Sequence, residues 1–157
     1  MSFLVTSFKT PIGTLNLLAD DQVLIGANLS TISAFKVDQE IKTVRNIPVI
    51  SDLISDYFDG DLSAINAIKV RQPGATFSQA AWKSMRKVIA GKVISYADLA
   101  EKAGSPAAVR AAGSACANNA IMLVVPCHRI VKTGGALGNY AYGVDKKEWL
   151  LGHEGFL

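Results

Sequence analysis

The chain has 157 residues, of which 50% are apolar and 18% are charged. This composition excludes an intrinsically disordered chain, and the length allows one ordinary domain or two small ones. No apolar run approaches the roughly 20 residues that a membrane-spanning helix needs. The N-terminus lacks the basic start and long apolar block of a secretion signal. We therefore expect an intracellular protein that does not bind membranes.

The net charge of +3 is unevenly distributed along the chain. Residues 1–73 carry six Lys and Arg against eight Asp and Glu, a net charge of −2, whereas residues 74–157 carry ten against five, a net charge of +5. A basic half of this kind favours an anionic partner, with nucleic acid as the leading candidate.

The first 73 residues predict a small sheet with one helix. Strands are expected over 3–10, 14–19 and 23–29, forming an antiparallel meander, and over 67–71. Apolar residues at helical spacing predict a helix over 48–58, while 30–47 show no clear pattern. This half contains neither Cys nor His, so a structural zinc site is not expected there. We interpret it as a domain that supports the second one, which begins after a linker at 72–74.

The second domain, 74–157, begins with a predicted helix over 76–91. Thr76 and Gln79 have the spacing of a capping box. The residues expected to be buried on this helix are Phe77, Trp82, Met85, Val88 and Ile89.

Two further helices are predicted close together. Ser95 can cap a helix over 96–103, and Ser105 followed by Pro106 can start another over 106–118. Such a pair is a helix-turn-helix candidate, although plain packing units have the same form. The second helix consists mostly of small residues, which lets it approach a groove closely, and its one long charged residue, Arg110, can then insert into a duplex or bind a phosphate. The small residues are Ala107, Ala108, Ala111, Ala112, Gly113, Ser114, Ala115 and Ala117.

A reactive cysteine is expected after the apolar run 121–125, which predicts a buried strand that Pro126 ends. The next residue, Cys127, is either an inert core residue or a nucleophile. Its neighbours His128 and Arg129 favour the nucleophile, because a nearby base or cation favours the thiolate. The second cysteine, Cys116, lies close enough in sequence for a disulfide to remain possible.

The last part of the chain contains a glycine-rich loop and a helix. The loop over 132–140 does not have the spacing of a phosphate-binding fingerprint. Asp145 is expected to cap a final helix over 146–153, whose Trp149, Leu150 and Leu151 should be buried.

The segment Pro126-Cys127-His128-Arg129-Ile130 resembles the active-site motif of the O6-alkylguanine-DNA alkyltransferases. Other pieces resemble the same family in the same order, covering nearly all of the second domain and little of the first. The resemblance implies an α+β fold: a small N-terminal antiparallel sheet with a helix (ribonuclease-H-like), and a mostly helical C-terminal domain with a helix-turn-helix. The other matching pieces are Phe77 with Trp82, 93–96, 108–111, Asn119, 138–140, 149–151 and 153–155.

The resemblance also implies roles for individual residues. Cys127 resembles the alkyl acceptor, His128 the base that takes its proton through a water, and Glu154 the carboxylate that orients that base. Asn119 resembles the link between the recognition helix and the active-site turn, and Tyr96 the phenol that helps rotate the nucleotide and donates toward guanine N3. Arg110 would fill the gap left in the base stack. The other expected DNA contacts are Ala108, Ala111, Gly113, Ser114 and Tyr96, and the expected pocket residues are Tyr140, Ala141, Tyr142, Ile130 and Cys116.

The implied activity is a single-turnover repair reaction. A methyl or other alkyl group would pass from O6-alkylguanine, and potentially O4-alkylthymine, in flipped-out duplex DNA to Cys127. The implied partner is alkylated double-stranded DNA, bound through its minor groove by a monomer. No cofactor and no metal are expected. The location would be cytoplasmic, with the nucleoid in a prokaryote, or nuclear in a eukaryote.

Three other interpretations of the second domain remain. A helix-turn-helix module that senses alkylated DNA without repairing it would lack the acceptor, so Cys127 argues against it. A Cys–His thiol hydrolase would need an oxyanion hole. A metal site from Cys127, His128, Cys116 and His153 has suitable residue types, but adjacent Cys and His seldom bind one ion.

Three positions depart from the family pattern. Cys116 stands where the family often has Met or another bulky residue. Ala141 and Tyr142 stand where many relatives have Ser-Gly or Gly-Gly, so we expect the Tyr142 ring to restrict bulky O6-benzyl groups.

Overall fold

The structure is a computed structural model that describes residues 2–157. Its chain divides into two compact units: the first runs to Gln72 and also includes Ala120–Val124, and the second comprises Pro73–Asn119 and Val125–Leu157. The boundary lies beside the predicted one at 73/74, but the sequence did not indicate that 120–124 return to the first unit. Within residues 2–157, no helix is long and apolar enough to cross a membrane.

The first unit is built on a five-stranded sheet of order β4-β1-β2-β3-β5. The strands are β1 Phe3–Thr10, β2 Gly13–Asp20, β3 Val23–Asn28, β4 Ile41–Thr43 and β5 Lys69–Val70. The predicted antiparallel meander is confirmed in β1–β3. The outer strands β4 and β5 run parallel to β1 and β3, so the sheet is mixed and not purely antiparallel as expected.

The helix of the first unit, α1, spans Ile50–Phe58. It buries Ile50, Ile54 and Tyr57, which lie on one face at helical spacing. The predicted start at 48 is two residues too early, because Val49 has φ +71°, outside the helical region, and its side chain is 49% exposed.

The predicted strand over 121–125 is wrong. Only Ile121 forms a strand-like bridge, to Ala27, and the chain then turns at Leu123, whose φ is +73°. The Val124 N–H donates to the Met122 carbonyl at 2.9 Å across this turn. The apolar residues are buried, as the run indicated, but a short apolar run reports burial and does not by itself report an extended backbone.

The second unit begins with α2, Thr76–Met85, which buries Trp82 and Met85. The predicted capping box is wrong, since Ala75 is the N-cap and no side chain caps it. The helix also ends at Met85, so Ile89 lies beyond it and is 63% exposed instead of buried.

The next two helices are α3, Tyr96–Lys102, and α4, Val109–Ala117. Ser95 caps α3 as predicted, and Asp98 completes a capping box there. The predicted start of α4 at Pro106 is wrong: residues 105–108 form a turn, and the helix begins after Ala108. The connection over 103–108 is thus longer than the three or four residues usual in a helix-turn-helix.

A two-stranded parallel ladder and a last helix complete the second unit. In the ladder, β6 Ile94–Ser95 pairs with β7 Ile130–Val131. The helix α5 spans Val144–His153. Its N-cap is Gly143, whose φ of +103° only glycine adopts readily. Asp145 therefore lies in the first turn of α5 and does not cap it, contrary to the prediction.

Candidate active site

The candidate nucleophile, Cys127, lies on a tight turn immediately before β7. Its N–H donates to the Val125 carbonyl at 2.9 Å, and the Arg129 N–H donates to the Pro126 carbonyl at 3.0 Å. Cys127–Arg129 form a single 3-10 turn, and Ile130 then enters the ladder. The Cys127 residue is 8% exposed, so its sulfur is sheltered and its backbone is fixed on both sides.

Asn119 connects the end of α4 to this turn. Its Nδ2 donates to the Val125 carbonyl at 2.8 Å and lies 3.5 Å from Cys127 Sγ. Its own N–H donates to the Cys116 carbonyl at 3.4 Å. One amide side chain therefore holds the helix end, the turn and the sulfur in a common arrangement.

Two residues of the turn, His128 and Arg129, form a buried ion cluster with Glu154. His128 Nε2 lies 2.8 Å from Glu154 Oε2. Arg129 donates from Nε to Oε1 at 2.9 Å and from Nη2 to Oε2 at 2.8 Å, while its Nη1 donates to the Val88 carbonyl at 2.7 Å. The sequence pointed to His128 and Glu154, but it did not predict that Arg129 pairs with the same carboxylate.

The cluster determines which nitrogen of His128 can accept a proton. The ionised Glu154 carboxylate only accepts hydrogen bonds, so Nε2 carries the hydrogen of the neutral ring. Within residues 2–157, the buried Nδ1 has no hydrogen-bond partner. The lone pair of Nδ1 is therefore available to accept a proton.

Burial and charge shift the pKa values of this cluster. Burial lowers the pKa of His128, and the hydrogen bond and charge of Glu154 oppose that effect. Burial alone would raise the pKa of Glu154, but hydrogen bonds from His128 and Arg129 hold it well below its usual range. Near neutral pH the site thus contains an ionised carboxylate and a neutral imidazole.

Lys147 is a second buried cation, which was not predicted from the sequence. Its Nζ donates to the Ile130 carbonyl at 2.7 Å and to the Asn139 carbonyl at 3.4 Å. Burial raises the pKa of the Cys127 thiol, whereas the Asn119 amide and the Lys147 charge lower it in part. One signal was present in the sequence: Lys147 shares the spacing i, i+3, i+4, i+7 with Leu150, Leu151 and Glu154, the buried face of α5.

Cys127 lines a cavity of about 650 Å³ within the second unit. This volume is in the range of small-molecule sites. The predicted site residues in its lining are Tyr96, Arg110, Gly113, Cys116, Cys127, Tyr140 and Ala141. Four lining residues were not predicted: Val109, Ala117, Lys132 and Asn139.

Tyr96 is the first residue of α3 and is held there by the Ser95 cap. Burial, together with the charges of Cys116 and Cys127, raises the pKa of Tyr96 to about 12. Its hydroxyl is therefore protonated at neutral pH and able to donate a hydrogen bond into the cavity.

The other predicted DNA-binding and pocket residues are not among those that line the cavity. Ala111 and Ser114 are on the exposed face of α4, and Ala108 is half-buried at its start. Ile130 is fully buried in the ladder, and its contribution toward the site is the carbonyl that Lys147 contacts. The half-buried Tyr142 packs edge-on against Tyr140, with ring centroids 5.7 Å apart.

The residues considered for a metal site do not form one. Within residues 2–157, no group of three or more His, Cys, Asp or Glu side chains is placed to hold a metal ion. His153 instead stacks on the Trp149 ring, with centroids 4.8 Å apart. Both cysteines are free thiols.

Comparisons with known proteins cover the whole chain. Residues 76–156 match the family model described as 6-O-methylguanine DNA methyltransferase, DNA binding domain. The methylated-DNA–protein-cysteine methyltransferase of Shigella flexneri is 36% identical over 100% of this chain and 98% of its own length. The human protein of the same name is 51% identical over 77 residues, 49% of this chain and 37% of its own length.

A solved structure agrees with these matches. The crystal structure of Mycobacterium tuberculosis OGT in complex with DNA superposes with a TM-score of 0.83 at 27% identity, covering 97% of this chain and 92% of that one. With its second unit matching the family model and its full length matching a curated relative, the chain belongs to the methylated-DNA–protein-cysteine methyltransferase family.

Proposed function

We propose that this protein repairs DNA by moving an alkyl group from O6 of guanine to the sulfur of Cys127. The observation that carries the proposal is that Cys127 lines the cavity while the two residues that follow it, His128 and Arg129, both bind the buried Glu154 carboxylate. A sheltered thiol beside a base and an orienting carboxylate has the parts of an activated nucleophile.

The proposed reaction breaks one bond and forms another. The thiol proton passes by way of a water to His128 Nδ1, and the Cys127 sulfur attacks the alkyl carbon in line with the C–O6 bond. The sulfur–carbon bond forms as the carbon–O6 bond breaks, and the electron pair stays with the guanine. The Tyr96 hydroxyl donates a hydrogen bond toward guanine N3, which stabilises the charge that develops on the departing base. The product is a thioether without an easy leaving group, so each molecule reacts once.

The alkylated base must leave the duplex to reach the sulfur, because the sheltered Cys127 cannot enter the base stack. We infer that the nucleotide is flipped into the cavity, at a cost of a few kcal/mol. The exposed face of α4 carries Ala111, Ser114 and Ala117, small side chains that allow close approach to a groove, and Arg110 at the cavity rim is placed to fill the gap in the stack. In this proposal, α3 and α4 are the DNA-binding helix pair, the first unit supports the second, and the protein acts where cellular DNA is located.

Mass spectrometry after reaction with an O6-methylguanine duplex tests the proposal. We expect one added methyl group per chain and no further turnover. Trypsin releases Cys116 and Cys127 on one peptide, residues 111–129, so fragmentation must assign the methyl group to Cys127. A Cys116→Ser protein provides the matched control, since the label should remain on the peptide, whereas Cys127→Ala should bind the duplex without reacting.

The same experiment separates the alternatives. Tight binding of the duplex by wild-type protein without transfer would support a sensor of alkylated DNA. Release of product with many turnovers would support a hydrolase. Either result would refute the transferase.

A further inference from the structure

Two cations border the cavity from different parts of the chain. Arg110 comes from the first turn of α4, and Lys132 directly follows β7. The residues that line the cavity include no Asp or Glu. The edge of the cavity is therefore positively charged, and Arg110 alone has a role in the proposed function.

The backbone of Lys132 is fixed, although its side chain is exposed. The Lys132 N–H donates to the Ala136 carbonyl at 2.8 Å, and the Gly135 N–H donates to the Lys132 carbonyl at 2.9 Å. The preceding residue, Val131, pairs with Ser95 in the ladder. Only the flexible four-carbon side chain is left to move, which suits it to follow a charged group at the cavity edge.

The stem of Lys132 lies beside Tyr96 across Gly138. A Cβ atom added at Gly138 would lie 3.4 Å from Lys132 Cγ and 3.3 Å from the Tyr96 hydroxyl oxygen. The lysine stem and the phenol therefore lie on the same edge of the cavity.

The charge of Lys132 has no counter-ion in the part of the chain that the structure describes. Its Nζ is in none of the ion pairs found among residues 2–157. A lysine ammonium with no internal partner at the rim of a cavity is available to an anion from outside.

We propose that Lys132 binds a phosphodiester group directly flanking the flipped nucleotide. This inference rests on the proposed function, because a base that fills the cavity brings its own 5′ and 3′ phosphates to the cavity edge. Lys132 then acts as a positioning residue: it holds the nucleotide by its backbone, while Arg110 occupies the space that the base has left. Phosphate contacts of this kind fix register and contribute nothing to base recognition.

The test compares wild type, Lys132→Ala and Lys83→Ala on two substrates. Lys83 is an exposed lysine on α2 outside the cavity lining and controls for general loss of positive charge. On an O6-methylguanine duplex, we expect Lys132→Ala to need roughly 5- to 20-fold more DNA for half-maximal transfer. On the free nucleobase O6-methylguanine, which has no phosphate, its rate should match wild type. Equal losses in Lys132→Ala and Lys83→Ala would overturn the proposal, as would no loss in either.

DNA with one uncharged backbone linkage identifies which phosphate Lys132 binds. Duplexes carrying a methylphosphonate at the 5′ or the 3′ phosphate of the lesion remove one charge at a time. At one of these two positions, wild type should fall to the level of Lys132→Ala, and Lys132→Ala should lose nothing more. If the methylphosphonates weaken both proteins by the same factor at both positions, Lys132 does not bind a flanking phosphate.

Binding measured without reaction keeps this inference separate from the proposed function. In a Cys127→Ala background, adding Lys132→Ala should reduce the dependence of log Kd on log salt by about one unit, the change expected for one lost phosphate contact. If wild type transfers no alkyl group but this change appears, the phosphate site stands and the transferase proposal fails. An unchanged slope would refute the phosphate site.

Discussion

The Arg129 guanidinium and the Glu154 carboxylate are joined by two parallel hydrogen bonds, from Nε to Oε1 and from Nη2 to Oε2. The same carboxylate also binds the ring of His128. A single anion at the end of α5 thus holds both residues that follow Cys127. Loss of its charge should affect the stability of the fold and the reactivity of the sulfur together.

We expect Glu154→Gln to lower the free energy of unfolding by about 3–5 kcal/mol at pH 7, because Arg129 would remain buried without its counter-charge. Urea denaturation measures the change. Glu148→Gln makes the same substitution at an exposed position of α5 and should change stability by no more than about 0.5 kcal/mol. Similar stabilities for the two variants would show that the ion cluster does not stabilise the fold.

Stability should fall as the pH is lowered from 7 to 4. Burial lowers the pKa of His128, so the unfolded chain binds a proton first, and stability begins to be lost below the ordinary histidine value of about 6.5. The pKa of Glu154 is also lowered, and its contribution is lost as the pH falls below the ordinary glutamate value of about 4.3 toward its folded value. Urea titrations at each pH provide the measurement. A free energy of unfolding that rises between pH 7 and 5 would contradict this account.

Lys147→Met should make Cys127 less reactive, since the Lys147 charge helps to lower the pKa of the thiol that burial raises. We expect alkylation of Cys127 by iodoacetamide to be roughly three- to tenfold slower at pH 7, with the difference from wild type shrinking as the pH rises. Lys146→Met is the neighbouring control, because Lys146 pairs with the exposed Asp145. A constant ratio of rates at all pH values would indicate a packing effect and not an effect on the thiolate.

Tyr142→Gly should widen the range of alkyl groups that the protein accepts. The Tyr142 ring packs edge-on against Tyr140, which lines the cavity, so removing it frees space beside the pocket. We expect the rate of benzyl transfer relative to methyl transfer to increase severalfold, as measured by single-turnover kinetics on matched duplexes. Tyr142→Phe retains the ring and should leave the ratio unchanged. No relative gain for benzyl in Tyr142→Gly would refute the role of this ring.

Arg110→Ala should slow methyl transfer from duplex DNA by roughly tenfold or more, because the gap in the stack would no longer be filled. Transfer from the free nucleobase O6-methylguanine should be unaffected, since no base has to be flipped. Lys83→Ala serves again as the control for lost charge. A variant as fast as wild type on duplex DNA would show that Arg110 does not support flipping.

The sequence predicted those features for which residue type and geometry agree. The alternating strands β1–β3 and the Ser95 cap of α3 are confirmed. The helix starts that failed had suitable capping residues, Thr76 and Ser105, but the backbone enters the helices at Ala75 and Ala108. Capping propensity marks where a helix can begin, and tertiary packing selects among those places.

The site was only partly visible in the sequence for a different reason. Cys127, His128 and Glu154 belong to a recognisable motif set, so a resemblance identifies them. The burial of Arg129 and Lys147 could not be predicted in this way. Their hydrogen-bond partners are carbonyls and a carboxylate from distant segments, which come together only when the chain folds. Sequence reasoning normally places a charged side chain on the surface. These two tolerate burial because Arg129 makes three hydrogen bonds and Lys147 makes two.

The two-pair ladder between β6 and β7 connects the segment that carries Tyr96 to the segment that carries Cys127. Ile94 pairs with Ile130 and Ser95 with Val131, so the ladder lies one residue before Tyr96 and three residues after Cys127. The positions of the Tyr96 phenol and the Cys127 sulfur thus both depend on this short ladder. A substitution that loosens either strand would misplace both groups at once, and its kinetic defect would imitate that of a Tyr96 and Cys127 double mutant although neither side chain had been altered.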